Sequence, residues 1–236
     1  MAELVVSLDI DDRKTTERLI QLLGSSVSHY KIGSVPLMAF GVDIIETLQK
    51  EKKKVFFDLK FFDIPNTVEH AVYHVCRMQP ELLTVHISGG INMLKAAISG
   101  RNRSGSKTKI IGVTVLTSFE QEDLESIGIN ENMETHITRL AGMAFESGID
   151  GIVCSARDLE FLRKKFPRDF LMVCPGIRPG TCSDDQKRVS TVCQAVRSGA
   201  DYLVIGRPIT ESENPVEVVE QIKKEIAENE IQQKNS

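Results

Sequence analysis

The sequence predicts an α/β fold, a single (β/α)8 TIM barrel that spans residues 1–236 as one domain. Apolar runs of strand length alternate with amphipathic segments of helix length along the whole chain. Alternation of this kind implies parallel strands joined by right-handed crossovers. No linker or low-complexity segment interrupts the pattern, and one barrel of this type needs roughly 250 residues.

The elements follow from short β-branched and aliphatic runs and from the helical spacing of apolar residues between them. The predicted strands are 4–8, 30–33, 55–59, 82–87, 110–116, 151–154, 171–174 and 202–205. The predicted helices are 15–23, 37–49, 68–78, 93–98, 134–146, 159–165, 189–197 and 215–227. An open sheet accepts the same elements, but eight uninterrupted units favour the closed barrel. The polar segment at about 228–236 predicts a frayed tail.

Composition narrows the possible partners. The formal net charge of −4 argues against sequence-independent binding to nucleic acid. The chain has no Trp and only 6% aromatic residues, so base stacking is not expected. The N-terminus has no basic region followed by an apolar stretch, and no apolar run approaches the ~20 residues of a membrane helix. The five cysteines are odd in number and form no CxxC pair, so we interpret them as reduced thiols of a cytoplasmic protein. We expect this protein to bind neither nucleic acid nor membrane.

The most informative segment is Asp-Leu-Lys-Phe-Phe-Asp-Ile-Pro-Asn-Thr at 58–67. Asp58 and Lys60 stand at the end of a predicted strand, and Asp63 follows before the next helix. Alternate residues of a strand share a face, so Asp58 and Lys60 are expected to point the same way. Charged groups are costly to desolvate at such a position. Because barrel active sites lie at the carboxyl ends of the strands, these residues indicate a ligand site.

Polar residues stand at the corresponding ends of other predicted strands. They are Asp9, Lys31, His86, Thr117, Arg178 and Arg207. A surface role explains Lys31 poorly, because a closed barrel has no edge strand. His86 is interpreted as a hydrogen-bonded core histidine rather than a catalytic one.

The loops after the last two predicted strands combine glycine with arginine, at Gly176 and Arg178 and at Gly206 and Arg207. Glycines let backbone N–H groups approach an anion, and the guanidinium group offers a planar fork to phosphate. Barrels often bind phosphate with these two loops. A tight turn with a surface arginine is the alternative explanation for the second pair.

No motif for a metal or an organic cofactor is visible. The sequence lacks paired Cys and His spacing, a cluster of carboxylates, a glycine-rich dinucleotide fingerprint after the first strand and a Gly-x-Ser-x-Gly elbow. We therefore predict neither a metal site nor a cofactor.

The segment 58–68 resembles the motif of the orotidine 5′-monophosphate decarboxylases, and the resemblance covers nearly the whole chain. Further matches are Ser-Leu-Asp9, Lys31-Ile-Gly, Val-Thr-Val-Leu-Thr117-Ser, Pro175-Gly-Ile-Arg178-Pro, Asp185-Gln186 and Gly206-Arg207-Pro. The spacing DxKxxD is shared with sugar-phosphate decarboxylases, but the following Ile-Pro-Asn-Thr is more specific. One departure is Phe62, where relatives often carry His.

The resemblance implies a carboxy-lyase that converts orotidine 5′-monophosphate to uridine 5′-monophosphate in pyrimidine nucleotide biosynthesis, without a cofactor. It implies that Lys60 delivers a proton to C6 after carbon dioxide leaves. Asp58 is then expected beside the substrate carboxylate, and Lys31 is expected to pair with Asp58.

The resemblance also implies the contacts to the rest of the nucleotide and to a partner subunit. Asp9 and Lys31 would bind the ribose, Thr117 the pyrimidine, Gln186 the pyrimidine and the phosphate, and Arg178, Gly206 and Arg207 the phosphate. A homodimer with shared active sites is expected, in which Asp63 and Thr67 reach into the partner's site.

Two other functions are left as alternatives. A sugar-phosphate decarboxylase or aldolase of the same superfamily would use a metal ion to stabilise an enediolate. A sensor of a phosphorylated ligand would bind a nucleotide without turnover, although the intact set of Asp58, Lys60 and Asp63 argues against it.

Overall fold

The computed structural model describes residues 2–180 and 190–234. Its strands are β1 (Glu3–Ser7), β2 (His29–Ile32), β3 (Lys54–Phe61), β4 (Leu82–His86), β5 (Lys109–Val113), β6 (Gly151–Val153), β7 (Leu171–Pro175), β8 (Ile177–Arg178), β9 (Ser190–Thr191) and β10 (Tyr202–Ile205). Its helices are α1 (Arg13–Leu23), α2 (Ser34–Phe40), α3 (Asp43–Lys50), α4 (Pro65–Cys76), α5 (Gly90–Arg103), α6 (Gln121–Ser126), α7 (Met133–Ser147), α8 (Leu159–Lys165), α9 (Val192–Arg197), α10 (Arg207–Thr210) and α11 (Pro215–Lys234).

Eight strands form a closed parallel barrel in the order β1-β2-β3-β4-β5-β6-β7-β10. The strands β8 and β9, which the sequence did not predict, pair with each other in a separate sheet. The eight predicted strands correspond to the eight strands of the barrel, so the predicted (β/α)8 TIM barrel is confirmed. No helix in the described ranges is long and apolar enough to cross a membrane.

The chain divides into two compact units, the first of which comprises residues 1–59 and 173–236. Within it, β1 pairs with β2 and β10, β2 pairs with β3, and β10 pairs with β7. Ser7 lies opposite Lys31 in this register, and the Leu8 N–H donates to the Lys31 carbonyl at 3.0 Å. The pairing therefore brings the end of β1 beside Lys31.

The second unit comprises residues 60–172, with β5 paired to β4 and β6. Its helices α4 and α5 approach closely at Gly100, where a Cβ atom would lie only 2.3 Å from the carbonyl oxygen of Glu69. A larger residue at this position would separate the two helices, since a contact that short requires the backbone to move.

The helix boundaries have local causes. The Asp12 side chain caps α1 by accepting from the Thr15 N–H at 2.8 Å. The single helix predicted over 37–49 is two helices, because Gly41 ends α2 with φ of +64°. The sequence did not predict α6, which begins with a reciprocal capping box between Glu120 and Asp123.

The helix α11 continues to Lys234, into the polar segment for which the sequence predicts a frayed tail. Asn229 is only 7% exposed. Its amide donates to the Glu225 carbonyl at 2.7 Å, and Arg197 donates to its Oδ1 at 2.9 Å. Polar side chains can thus anchor a terminal helix when they find partners, which their polarity alone does not reveal.

Candidate active site

Three charged side chains meet in the first unit, after β1, on β2 and on β3. The Lys31 Nζ lies 3.0 Å from Oδ1 of Asp9 and 3.3 Å from Oδ2 of Asp58. The side chains of Lys31 and Asp58 are 11% and 12% exposed, whereas that of Asp9 is 53% exposed. Ions withdrawn from water need partners of opposite charge, and here one ammonium group bridges two carboxylates. Asp9 is the member most open to a ligand.

Two small residues complete this cluster, and sequence reasoning assigned neither of them a role. The Ser7 hydroxyl donates to Oδ2 of Asp9 at 2.6 Å. A Cβ atom on Gly33 would lie 3.1 Å from Oδ1 of Asp9 and 3.3 Å from Nζ of Lys31. The spacing of two residues between Ser7, which ends β1, and Asp9 was the available signal for the serine. Nothing in the sequence indicated the tight space at Gly33.

The candidate phosphate residues of the first unit lie at the ends of β8 and β10. Arg178 ends β8 and is exposed, and Arg207, also exposed, begins α10. Gly206 precedes α10, and a Cβ atom there would lie 3.3 Å from Cβ of Ser7. Gly206 therefore lies beside the residue that holds Asp9. The predicted contact residue Gln186 lies outside the described residues.

Lys60, the first residue of the second unit, has φ of +49°. In the described ranges two other non-glycine residues, Lys52 and Gln79, have positive φ. Both follow helix ends, where the left-handed conformation is common. Lys60 instead lies within β3, where this conformation costs an L-residue on the order of 1–2 kcal/mol. Such strain is typical of functional sites.

A hydrogen bond offsets part of this strain. The Lys60 N–H donates to Oγ1 of Thr84, on β4, at 2.8 Å. A hydrogen bond of this kind stabilises a fold by about 1 kcal/mol net. The common direction expected for Asp58 and Lys60 rested on regular strand alternation, which the positive φ of Lys60 interrupts.

The segment after β3 is exposed. Asp63 and Thr67 are both exposed, and the Asp63 carboxylate accepts from the Ile64 N–H at 2.6 Å. Phe62 is 63% exposed and Ile64 is 66% exposed, so apolar side chains flank Asp63 on both sides. The Phe62 ring meets the His86 ring edge-on, with centroids 5.9 Å apart.

Thr117 is exposed in the loop between β5 and α6. The strand β5 ends at Val113, three residues before the predicted end. Here the Thr114 hydroxyl donates to the Val153 carbonyl at 2.8 Å. The described residues contain no group of three or more His, Cys, Asp or Glu that could hold a metal ion.

Comparisons with known proteins place the chain in a family. The family model for "Orotidine 5'-phosphate decarboxylase / HUMPS family" matches residues 2–222. The orotidine 5′-phosphate decarboxylase of Actinobacillus succinogenes is 43% identical over 228 residues, which cover 96% of this chain and 98% of the relative. That of Legionella pneumophila (strain Lens) is 41% identical over 226 residues, covering 95% and 99%.

Solved structures give the same result. The crystal structure of orotidine 5′-phosphate decarboxylase from Lactobacillus acidophilus has a TM-score of 0.85 at 32% identity, covering 96% of this chain and 99% of that one. The structure from Pyrococcus horikoshii OT3, at 23% identity with a TM-score of 0.77, supports the fold alone. The extent of the family match and the identity to these relatives together show that the chain belongs to the orotidine 5′-phosphate decarboxylase / HUMPS family.

Proposed function

We propose that this family member decarboxylates orotidine 5′-monophosphate to uridine 5′-monophosphate in pyrimidine nucleotide biosynthesis, without a cofactor. One observation carries the proposal: Lys31 joins Asp9 to the shielded Asp58 in one ion cluster, and Asp58 lies two residues before Lys60 on β3. Relatives of nearly equal length that share 40–43% of their residues carry the name of this enzyme. We also propose that residues 1–236 act as a single catalytic domain.

The chemistry requires a fixed positive charge. Loss of carbon dioxide from C6 leaves negative charge on a ring carbon without an evident electron sink. An ammonium group at that carbon stabilises the developing charge more than it stabilises the substrate, which lowers the barrier. We assign this role to Lys60, whose ammonium then transfers its proton to C6.

Asp58 is proposed to face the substrate carboxylate. Repulsion between these two anions is relieved when carbon dioxide leaves, although binding energy from the rest of the nucleotide must offset it in the bound substrate. Lys31 neutralises part of the Asp58 charge and holds its carboxylate in place. We propose that Lys31, Asp58, Lys60 and Asp63, which alternate in charge along the chain, form the array in which Lys60 acts as the proton donor.

The remaining candidate residues are proposed to bind the nucleotide away from C6. Asp9 and Lys31 would bind the ribose hydroxyls, Thr117 and Gln186 the pyrimidine, and Arg178, Gly206, Arg207 and Gln186 the phosphate. The exposure of Asp9, Thr117, Arg178 and Arg207 leaves these side chains accessible to a ligand. Arginine suits phosphate because its planar fork can donate two parallel hydrogen bonds.

A homodimer with shared active sites is part of the proposal. Asp63 and Thr67 are assigned to the site of the partner subunit. The exposed apolar residues Phe62 and Ile64 beside Asp63 support this assignment, because a two-fold interface would cover them in both subunits. The proposed location is the cytoplasm.

An absorbance assay with purified protein and orotidine 5′-monophosphate tests the function directly. We expect conversion to uridine 5′-monophosphate at an unchanged rate when EDTA is present. Loss of activity on chelation that returns with added divalent cations would contradict the cofactor-free mechanism and favour a metal-dependent sugar-phosphate enzyme. Nucleotide binding without turnover would contradict the enzymatic function itself.

A further inference from the structure

The Thr84 side chain contacts Lys60, the proposed proton donor, at the backbone of the lysine rather than at its ammonium group. The threonine is completely buried on β4, and its Oγ1 accepts from the Lys60 N–H at 2.8 Å. A threonine within an apolar strand is ordinary, so the sequence alone does not indicate a role for Thr84.

The backbone conformation of Lys60 gives this hydrogen bond its importance. The direction of a Cα–Cβ bond relative to the preceding strand depends on φ, and Lys60 has φ of +49° rather than an extended value. The side chain therefore leaves the backbone in a direction that a regular strand residue would not give it. An acceptor placed at the Lys60 N–H favours this conformation, because a buried N–H needs a partner.

We propose that the Thr84 hydroxyl positions Lys60 for proton transfer by holding its backbone in the left-handed conformation. This inference rests on the proposed function, in which Lys60 is the donor. Thr84 is a positioning residue, since it acts through Lys60 and is assigned no contact with the substrate. Without the hydroxyl, the ammonium moves away from C6, and a displacement of about 1 Å can lower the rate by about 100-fold.

The decisive comparison is between Thr84→Val and Thr84→Ser. Valine keeps the shape of threonine but has no acceptor, whereas serine keeps the hydroxyl and loses a methyl group. We expect Thr84→Val to lower kcat by at least about 10-fold with KM within about threefold of wild type. We expect Thr84→Ser to keep kcat within about threefold, because the hydrogen bond is retained.

Thr108→Val is the matched control. Thr108 is 2% exposed and donates to the Pro80 carbonyl at 2.8 Å, in the turn that precedes β5. Its substitution also removes a buried threonine hydroxyl, so it should lower the melting temperature while leaving kcat within about twofold of wild type. Circular dichroism shows whether each variant is folded.

The outcomes separate this inference from the proposed function. If Lys60→Ala keeps its activity, the proton-donor assignment fails whatever Thr84 does. If Lys60→Ala is inactive while Thr84→Val retains wild-type kcat, only the positioning role is overturned. Equal losses of kcat in Thr84→Val and Thr84→Ser would also overturn it, because the hydroxyl would then not be the cause. If Thr84→Val does not fold, Thr84→Cys replaces it under the same criteria, since a thiol is a weak acceptor.

Discussion

The ammonium group of Lys31 lies 3.3 Å from Oδ2 of Asp58, and both side chains are almost completely shielded from solvent. The two opposite charges hold each other in place within the fold. Charges that are already oriented need no reorganisation during the reaction, which is how electrostatic catalysis achieves much of its effect. This arrangement also fixes the carboxylate that stands two residues before the proposed proton donor.

Lys60→Ala should abolish decarboxylation while the protein remains folded. Removal of a charge contact made in the transition state should cost at least ~3 kcal/mol, which is more than about a 100-fold loss of kcat. The measurement is kcat with saturating orotidine 5′-monophosphate, together with a thermal unfolding curve. Lys52→Ala is a matched control, since Lys52 is an exposed lysine that also has positive φ. Turnover by Lys60→Ala within tenfold of wild type would rule out the assigned role.

The sequence was sufficient to predict the barrel because strands buried within it are uniformly apolar and the helices between them keep one apolar face. It also indicated Asp9, Lys31 and Asp58 as candidate site residues, because charged residues at strand ends are rarely explained by packing. The structure adds that these three side chains form a single ion cluster.

Other features depended on the folded backbone and could not be predicted from residue types. The positive φ of Lys60 breaks the alternation on which its expected direction rested. The hydrogen bond from Lys60 to Thr84 joins residues 24 positions apart, and the space at Gly33 is limited in part by Asp9, which comes from the segment after β1. Such relationships arise from tertiary packing, which local patterns do not encode.

Gly33→Ala should weaken substrate binding with little effect on stability. The backbone of Gly33 has φ of −95°, which alanine tolerates, so the effect should come from the added methyl group. That group would press against Asp9 and Lys31, at 3.1 and 3.3 Å. We expect KM to rise by about 3- to 10-fold, a change of about 0.7–1.4 kcal/mol, because both side chains are proposed ribose contacts.

Gly142→Ala is the control for this variant. A Cβ atom on Gly142 would meet nothing within 4 Å, and the residue lies inside α7. Alanine there should stabilise the helix by about 0.5–1 kcal/mol without changing KM. An unchanged KM in Gly33→Ala would show that the ion cluster accommodates the methyl group and would contradict the prediction.

Arg207→Ala should impair the enzyme chiefly through the substrate phosphate. Loss of a hydrogen bond to a charged group should lower kcat/KM for the nucleotide by about 10- to 100-fold. The same comparison with orotidine, which lacks the phosphate, should show almost no difference between the variant and wild type. The exposed Arg77 supplies a control substitution outside the candidate site. An equal loss with both substrates would exclude the phosphate role.

Asp158→Asn should change how stability depends on pH. Burial raises the pKa of Asp158 above its ordinary value of 3.8, although hydrogen bonds from Ser155 oppose the shift. The unfolded chain therefore ionises this carboxyl first as the pH rises, so the folded state loses stability from about pH 4 upward until Asp158 is also ionised. The variant Asp158→Asn has no ionisable group at this position, so it lacks this contribution to the pH dependence of stability.

Urea unfolding across this pH range shows whether Asp158 lowers or raises the stability of the fold as the pH increases. The free energy of unfolding of wild type, relative to Asp158→Asn, should fall as the pH is raised from about 4 towards neutrality. A relative stability that rises over the same range would mean that the hydrogen bonds from Ser155 outweigh burial.

Two variants that are each expected to be inactive, Lys60→Ala and Asp63→Ala, test whether the active site is shared between subunits. Asp63 is exposed and flanked by the exposed apolar residues Phe62 and Ile64, so we assign it to the site of the partner subunit. A mixed dimer of Lys60→Ala and Asp63→Ala would then have one site with both lesions and one with neither. After random exchange of equal amounts, about half of the dimers are mixed, and roughly a quarter of all sites are intact.

Recovery of up to that fraction of wild-type activity is the expected result, measured after mass spectrometry has confirmed subunit exchange. Each parent alone must be inactive and dimeric for the comparison to hold. If the subunits exchange and no activity returns, Asp63 acts within its own chain. If activity returns, each active site must take Lys60 from one subunit and Asp63 from the other, because a two-fold interface presents the same loop in both directions.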